Sequence, residues 1–269
     1  LKQPVVVENL AGAGGLVGFQ RLKRADPDGH TLNFSNMGLL VIPHLHPQGG
    51  FDPLNDLAPV VSVATVPMVL AVSNASGFAD LKSMIEFMRQ NPGKVNLGSG
   101  GPGTTAHLSQ ALFLKLAGVQ GELVQYRGTG PALIDVIAGT IQGIIDQTVT
   151  LMPLHADKRA RAIAVSAPQR VARMPDVPTF AEAGLPQFDL RIWNGLVAPK
   201  GTPRATLDRI AAAVSQVMDS PEYVERVEKQ FASEIPSMAD RGPDGFRKLM
   251  EGDATRVADL VKSIGLQGK

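Results

Sequence analysis

Apolar residues in this chain fall into short β-branched runs that alternate with stretches of helical spacing, with glycine turns between them. The clearest case is 94–116. Residues 95–97 read as a strand, and Gly98, Ser99, Gly100, Gly101, Pro102 and Gly103 make a turn. A helix then opens at Thr104 or Thr105 with Leu108, Ala111, Leu112 and Leu116 on one face. The same order is predicted at 4–7, where a valine run passes the turn Gly12-Ala13-Gly14-Gly15 into a helix over 19–25. Residues 31–34 predict a strand whose end delivers Ser35 and Asn36. Residues 123–126 predict one that leads through Arg127-Gly128-Thr129-Gly130-Pro131 into a helix closed by Gly139. Residues 141–145 form another, tipped by Asp146, Gln147 and Thr148. Leu81, Met84, Ile85 and Met88 give 78–90 a helical stripe, and the tail is helical, including a helix capped by Ser220-Pro221 that carries Val224, Val227 and Phe231.

Strands that alternate with helices predict the α/β class, with mostly parallel sheets covered by helices, because parallel neighbours need a crossover between them. Two longer apolar runs, 64–72 with Pro67 inside and 190–197 through Trp193, are able to cross between two such sheets. They predict two lobes joined by a hinge, one made of 1–65 and 196–269, the other of the inserted 66–195. A two-lobed chain that closes by hinge motion is the architecture of a ligand receptor.

Composition narrows the chemistry by exclusion. With 269 residues, 44% hydrophobic and 19% charged, the chain can bury a sizeable core, and a net charge of +1 gives no reason to propose nucleic acid. Zero cysteines exclude disulfides, thiolate metal sites and a cysteine nucleophile. Apolar runs such as 66–72 fall far short of the about 20 residues a membrane span needs. No signal peptide is read at Leu1, so the chain is expected to be cytosolic or already processed. The turn at 98–105 nearly matches a phosphate-binding loop, but Thr104 stands where the lysine belongs. The Gly12 turn has Val17 where a dinucleotide fingerprint needs glycine, and Ser99 lacks the glycine two residues earlier that a hydrolase elbow requires. His44 and His46 have no carboxylate nearby to complete a metal site. No cofactor and no metal are expected. What remains is an anion socket, since a glycine loop before a helix leaves main-chain N–H groups unpaired at the positive end of the helix dipole.

The chain resembles the extracytoplasmic solute receptors of tripartite tricarboxylate transporters, the Bug or TctC-like family of Gram-negative bacteria. The matching strings are Pro4-Val5-Val6-Val7-Glu8-Asn9, Pro27-Asp28-Gly29-His30-Thr31-Leu32, Ser99 through His107-Leu108, Tyr126-Arg127-Gly128, Met174-Pro175-Asp176-Val177-Pro178-Thr179 and Gly195-Leu196-Val197-Ala198-Pro199. The resemblance implies a type II periplasmic-binding-protein fold. It also implies a monomeric periplasmic receptor, not an enzyme, that closes around a small carboxylate (an organic, amino or aromatic acid) and delivers it to the permease subunits in the membrane. Two departures are read here. The chain starts at what resembles the family's second strand, without the first strand and its loop, and Leu10-Ala11 stand where the family has arginine and proline.

On this reading the ligand carboxylate is expected against the N–H groups of Gly103, Thr104 and Thr105, with Gly101 in the turn and the hydroxyls of Ser99 and Thr104 donating. Tyr126 and Gly128 edge the pocket, and Asp146 or Gln147 meets a distal polar group or a water. His107 stands between a structural histidine and a contact, and Trp193 between hinge packing and a cleft wall. Ser35, Asn36 and the Gly14-Gly15 turn are the first lobe's candidates. An alternative is a cytosolic or periplasmic α/β enzyme, or a ligand sensor, built on the same anion site. Ser99, His107 and Asp146 can be drawn as a triad, but none sits in a motif that prepares a nucleophile.

Overall fold

A computed structural model describes residues 3–266. Its strands are β1 (Asn33–Asn36), β2 (Leu57–Val72), β3 (Asn96–Ser99), β4 (Glu122–Gln125), β5 (Gly143–Gln147), β6 (Arg161–Val165) and β7 (Arg191–Pro199). The helices are α1 (Leu16–Lys23), α2 (Ile42–Leu45), α3 (Pro53–Asp56), α4 (Leu81–Gln90), α5 (Thr105–Ala117) and α6 (Thr129–Ala138). They continue with α7 (Thr148–Ala156), α8 (Arg204–Met218), α9 (Pro221–Val224), α10 (Met238–Arg241) and α11 (Pro243–Ser263). The protein is of the α/β class. Strands β3–β4 and β3–β5 pair in parallel, whereas β1–β7, β2–β5 and β2–β6 are antiparallel.

The chain divides into two compact units. The first runs to Thr65 and resumes over Trp193–Glu228 and from Glu234; the second comprises Val66–Ile192 and Lys229–Ser233. The boundary inside β2 has a physical marker in Pro67. Proline has no N–H to give to a ladder, so it fits where one set of strand partners ends and another begins. Pairing of β2 with β5 starts one residue later, at Met68, whose own N–H is taken by the Ser166 hydroxyl at 2.8 Å.

In the second unit β3 runs parallel to β4 on one side and β5 on the other. Helices α5 and α6 make the two crossovers. Thr104 N-caps α5 and Gly118, left-handed at φ 61°, ends it. A capping box between Asp80 and Ser83 opens α4, which buries Leu81, Met84 and Met88. The core around Val69, Ile144, Val136, Leu151 and Met174 is fully apolar.

Two elements differ from the sequence reading. The run Pro4-Val5-Val6-Val7 is not a strand; its valines are 79–84% exposed. A β-branched run forms a strand when a ladder partner and a covering layer are present, and the described residues supply neither. The helix expected after Ser220-Pro221 ends at Val224, and a π-helical turn, Glu225–Gln230, follows. Phe231 then belongs to the second unit, where it packs on the apolar core and its carbonyl accepts the Thr148 hydroxyl at 2.7 Å.

In the first unit Trp193 is packed as a core residue. It is 2% exposed, its ring meets Phe246 edge-on at 5.1 Å, and its indole N–H donates to the Asp253 carboxylate at 2.8 Å. Asp253→Ala strands that buried N–H and is expected to cost about 1–3 kcal/mol. Urea unfolding followed by the fluorescence of Trp193, the chain's one tryptophan, measures it.

Candidate functional site

The strand pairing of the second unit sets the site. Because β3, β4 and β5 run the same way, Ser99, Gln125 and Gln147 finish on one edge of the sheet, and α5, α6 and α7 begin there. Ligands of open α/β sheets bind beyond such strand ends, where helix starts offer unpaired N–H groups.

The β3–α5 loop is closed by its own hydrogen bonds. Gly103, at φ 87°, adopts a backbone that side-chain-bearing residues avoid and turns its N–H onto His107 Nδ1 at 3.3 Å. Thr104 Oγ1 accepts the His107 N–H at 3.3 Å and donates to the Gly101 carbonyl at 2.8 Å, while the Thr104 N–H reaches that carbonyl at 3.3 Å. The Ser99 hydroxyl donates to Gln125 Oε1 at 2.6 Å. Donors that the sequence assigned to a ligand are thus engaged internally, because buried main-chain and hydroxyl groups without water must find partners in the protein. Amides without an acceptor among the described residues include those of Thr105 and Ala106 at the start of α5, and of Thr129 and Gly130 at the start of α6. Thr105 and Ala106 are nonetheless 6% and 2% exposed, so these N–H groups sit at a largely dry edge.

The two helix starts touch. The Gly128 N–H donates to the Gly100 carbonyl at 3.0 Å, and a Cβ added at Gly100 would stand 3.0 Å from Thr129 Oγ1 and crowd the approach. Asp146, the penultimate residue of β5, has Thr129 and Thr150 close by, and its Oδ1 accepts the Gln147 N–H at 2.7 Å. Burial pushes this carboxyl up to about 6, against the opposing pull of those neighbours. Burial likewise pushes His107 down to about 4, and since Nδ1 accepts from Gly103 the ring is neutral with its proton on Nε2. Tyr126 is tied through its N–H to the Ser99 carbonyl at 2.9 Å, but its hydroxyl turns inward to Asp135 at 2.6 Å and is pushed up to about 12, first by burial and then by that carboxylate.

Ser99, Gly101, Gly103, Thr104, Thr105, His107, Tyr126, Gly128, Asp146 and Gln147 therefore lie on the loops, strand ends and first turn of α5 at one edge of the second unit. Ser35, Asn36, Gly14 and Gly15 belong to the first unit. There Ser35 and Asn36 end β1 from within the strand, and Asn36 Oδ1 caps the next turn by accepting the Gly38 N–H at 2.9 Å. Gly14 and Gly15 are left-handed turn residues ahead of α1. Sequence reasoning missed Ala106, Thr129 and Thr150. For Ala106 and Thr129 the signal was positional, the starts of predicted helices, where main-chain donors go unpaired; α7, which carries Thr150, was not read from the sequence. It also missed Gln110, fully buried on α5, whose side-chain amide donates to the Gly98 carbonyl and pins the helix to β3.

The fold is that of periplasmic binding proteins, as the solved structures show. The chain belongs to the family described as "Tripartite tricarboxylate transporter family receptor", whose model matches residues 1–266. It is similar to the periplasmic binding protein BugD, at 29% identity and a TM-score of 0.90 over 98% of this chain and 88% of that one. It is similar to MatC from Rhodopseudomonas palustris with bound malate, at 31% identity and a TM-score of 0.89 over 96% and 88%. A third likeness is R. palustris Rpa4515 with adipate, at 26% identity and a TM-score of 0.91 over 98% and 87%.

A raised carboxyl value means that the fold opposes ionisation, so this contribution to stability is full below the unfolded value near 4 and is lost as pH rises through about 6. Asp146→Asn removes that loss. Between pH 4 and 8 the stability difference is expected to move in the variant's favour by up to about 3 kcal/mol, read from urea unfolding at each pH. For His107, imidazole ¹⁵N NMR at pH 5.5 is expected to show the neutral Nε2–H form.

Proposed function

We propose that this protein is a periplasmic receptor that captures a small carboxylate and passes it, as a monomer, to the membrane permease of a tripartite tricarboxylate transporter. The observation that carries this reading is the pair of unengaged amides at Thr105 and Ala106. They stand at the positive end of a thirteen-residue helix, at an edge where burial strengthens each bond to an anion. Charge-assisted bonds of this kind contribute about 1.5–3 kcal/mol each. The amides of Thr129 and Gly130 are the second pair available on the same edge. Malate and adipate in two relatives support a ligand of the dicarboxylate class. No helix among the described residues is long and apolar enough to cross a membrane, in keeping with a partner that does.

The same geometry argues against an acyl-transfer enzyme. The Ser99 hydroxyl donates to Gln125, His107 Nδ1 accepts a main-chain N–H, and Asp146 accepts the Gln147 N–H, so these bonds do not join the three into a triad. A receptor needs the reverse of a reactive nucleophile: donors fixed by their neighbours.

Malate and adipate are expected to raise the melting temperature, since a ligand at 100 times its dissociation constant stabilises by about 2.7 kcal/mol. Thr105→Pro is the sharper test. Proline is well accepted at the first position of a helix, and the preceding Thr104 at φ −70°, ψ 157° already has the backbone proline demands. The substitution therefore deletes one N–H and leaves the helix. Ligand-free stability is expected to change little, while affinity falls about tenfold or more by isothermal titration; unchanged affinity would place the carboxylate elsewhere.

A further inference from the structure

The loop between β4 and α6 is pinned on both sides of an unpaired cation. The Tyr126 N–H donates to the Ser99 carbonyl at 2.9 Å and the Gly128 N–H to the Gly100 carbonyl at 3.0 Å. The backbone of Arg127, which lies between them, is therefore fixed beside the β3–α5 loop. Its side chain is exposed, and among the described residues its guanidinium has neither an ion pair nor a hydrogen bond. The acids near it in sequence do not supply one. Asp135 on α6 takes the Tyr126 hydroxyl at 2.6 Å, and Glu122 stands at the far end of β4. Of residues 98–106, 126–130 and 146–150, the strand ends and helix starts of this edge, Arg127 is the one lysine or arginine.

The same loop has room for a ligand. A Cβ added at Gly128 or at Gly130 would meet nothing within 4 Å, whereas one at Gly100 would be crowded by Thr129. The amides of Thr129 and Gly130, without an acceptor among the described residues, follow Arg127 directly at the start of ten-residue α6, and its N-cap Gly128 supplies no side-chain bond. An anion here meets a formal charge together with a helix end, where the start of α5 offers amides alone. Because the two loops touch through the Gly128–Gly100 bond, one small molecule can span both. The guanidinium is a planar fork that matches a carboxylate with two parallel bonds, and its flexible stem needs no preformed slot.

We propose that Arg127 is a specificity-determining ligand contact. With one carboxylate of the ligand on the amides at the start of α5, the Arg127 guanidinium takes the second, so the receptor selects dicarboxylates over monocarboxylates. The ligand is held as the dianion, and no proton or covalent bond changes. A monoacid gains nothing from the guanidinium, and the difference between the two classes is the discrimination. This inference rests on the carboxylate-receptor reading above.

Isothermal titration at pH 8, where all these carboxyls are ionised, compares adipate with hexanoate and malate with 2-hydroxybutyrate, pairs that differ in the second carboxylate. The native protein is expected to prefer the diacid about tenfold or more. Arg127→Gln is expected to lower diacid affinity about tenfold and to erase that preference, and Arg127→Lys to restore part of it, as a point charge without the fork. Ligand-free melting temperature is expected to stay the same in both variants, because the side chain has no partner to lose; a structural role would lower it and weaken mono- and diacids alike. Equal native affinity for the two classes, or equal loss of both in Arg127→Gln, overturns this inference and leaves the receptor reading standing. Should a variant not fold, the native preference decides alone. Absence of binding by any of the four acids overturns the receptor reading, and this inference with it.

Discussion

A buried main-chain N–H must have a partner, and the second unit is arranged around that requirement. Three parallel strands end together, so three helix starts with their unpaired amides are forced onto one edge. The loop before α5 resolves most of its own demand: Gly103 turns to His107, Thr104 caps the helix, and Gly128 ties the neighbouring loop to Gly100. What remains unengaged includes the first residues of α5 and α6. The loop's internal bonding is therefore what gives the site its precision. If Gly103 and Thr104 were free to bond elsewhere, the amides of Thr105 and Ala106 would have no fixed direction.

The same edge carries a cation, Arg127, exposed between the end of β4 and the start of α6, while His107 is held neutral by burial. Main-chain dipoles act beside it; they stabilise charge less than a cationic side chain would but do not have to be desolvated as ions. Asp146, 8% exposed, lies at the end of β5 on this edge, its carboxyl pushed up by burial.

Much of this was legible in the sequence, and the failures have physical causes. The 94–116 stretch could be read because strand, glycine loop and helix are local signals, each fixed by residues within a few positions of one another. The Pro4-Val5-Val6-Val7 run misled because strand formation depends on a partner that composition does not show. The donors of Ser99 and Thr104 were recognised as donors but not as already engaged, since their acceptors, Gln125 and Gly101, follow from β3–β4 register and loop closure. Trp193 was ambiguous for the same reason: only the packing of α11 shows that Phe246 and Asp253 enclose it.

Pro67 shows how a local rule and a long-range one meet. In sequence it looks like a flaw in the longest apolar run of the chain. In the structure it stands beside the residue at which β2 passes from one unit to the other, where a missing N–H costs least because ladder partners are changing. A strand with an uninterrupted donor row would invite one continuous ladder past that point. With Pro67 in place, Met68 begins the second unit's pairing afresh, its N–H on Ser166 and its register on Gln147, and that register sets where β5 ends and hence where Asp146 comes to lie.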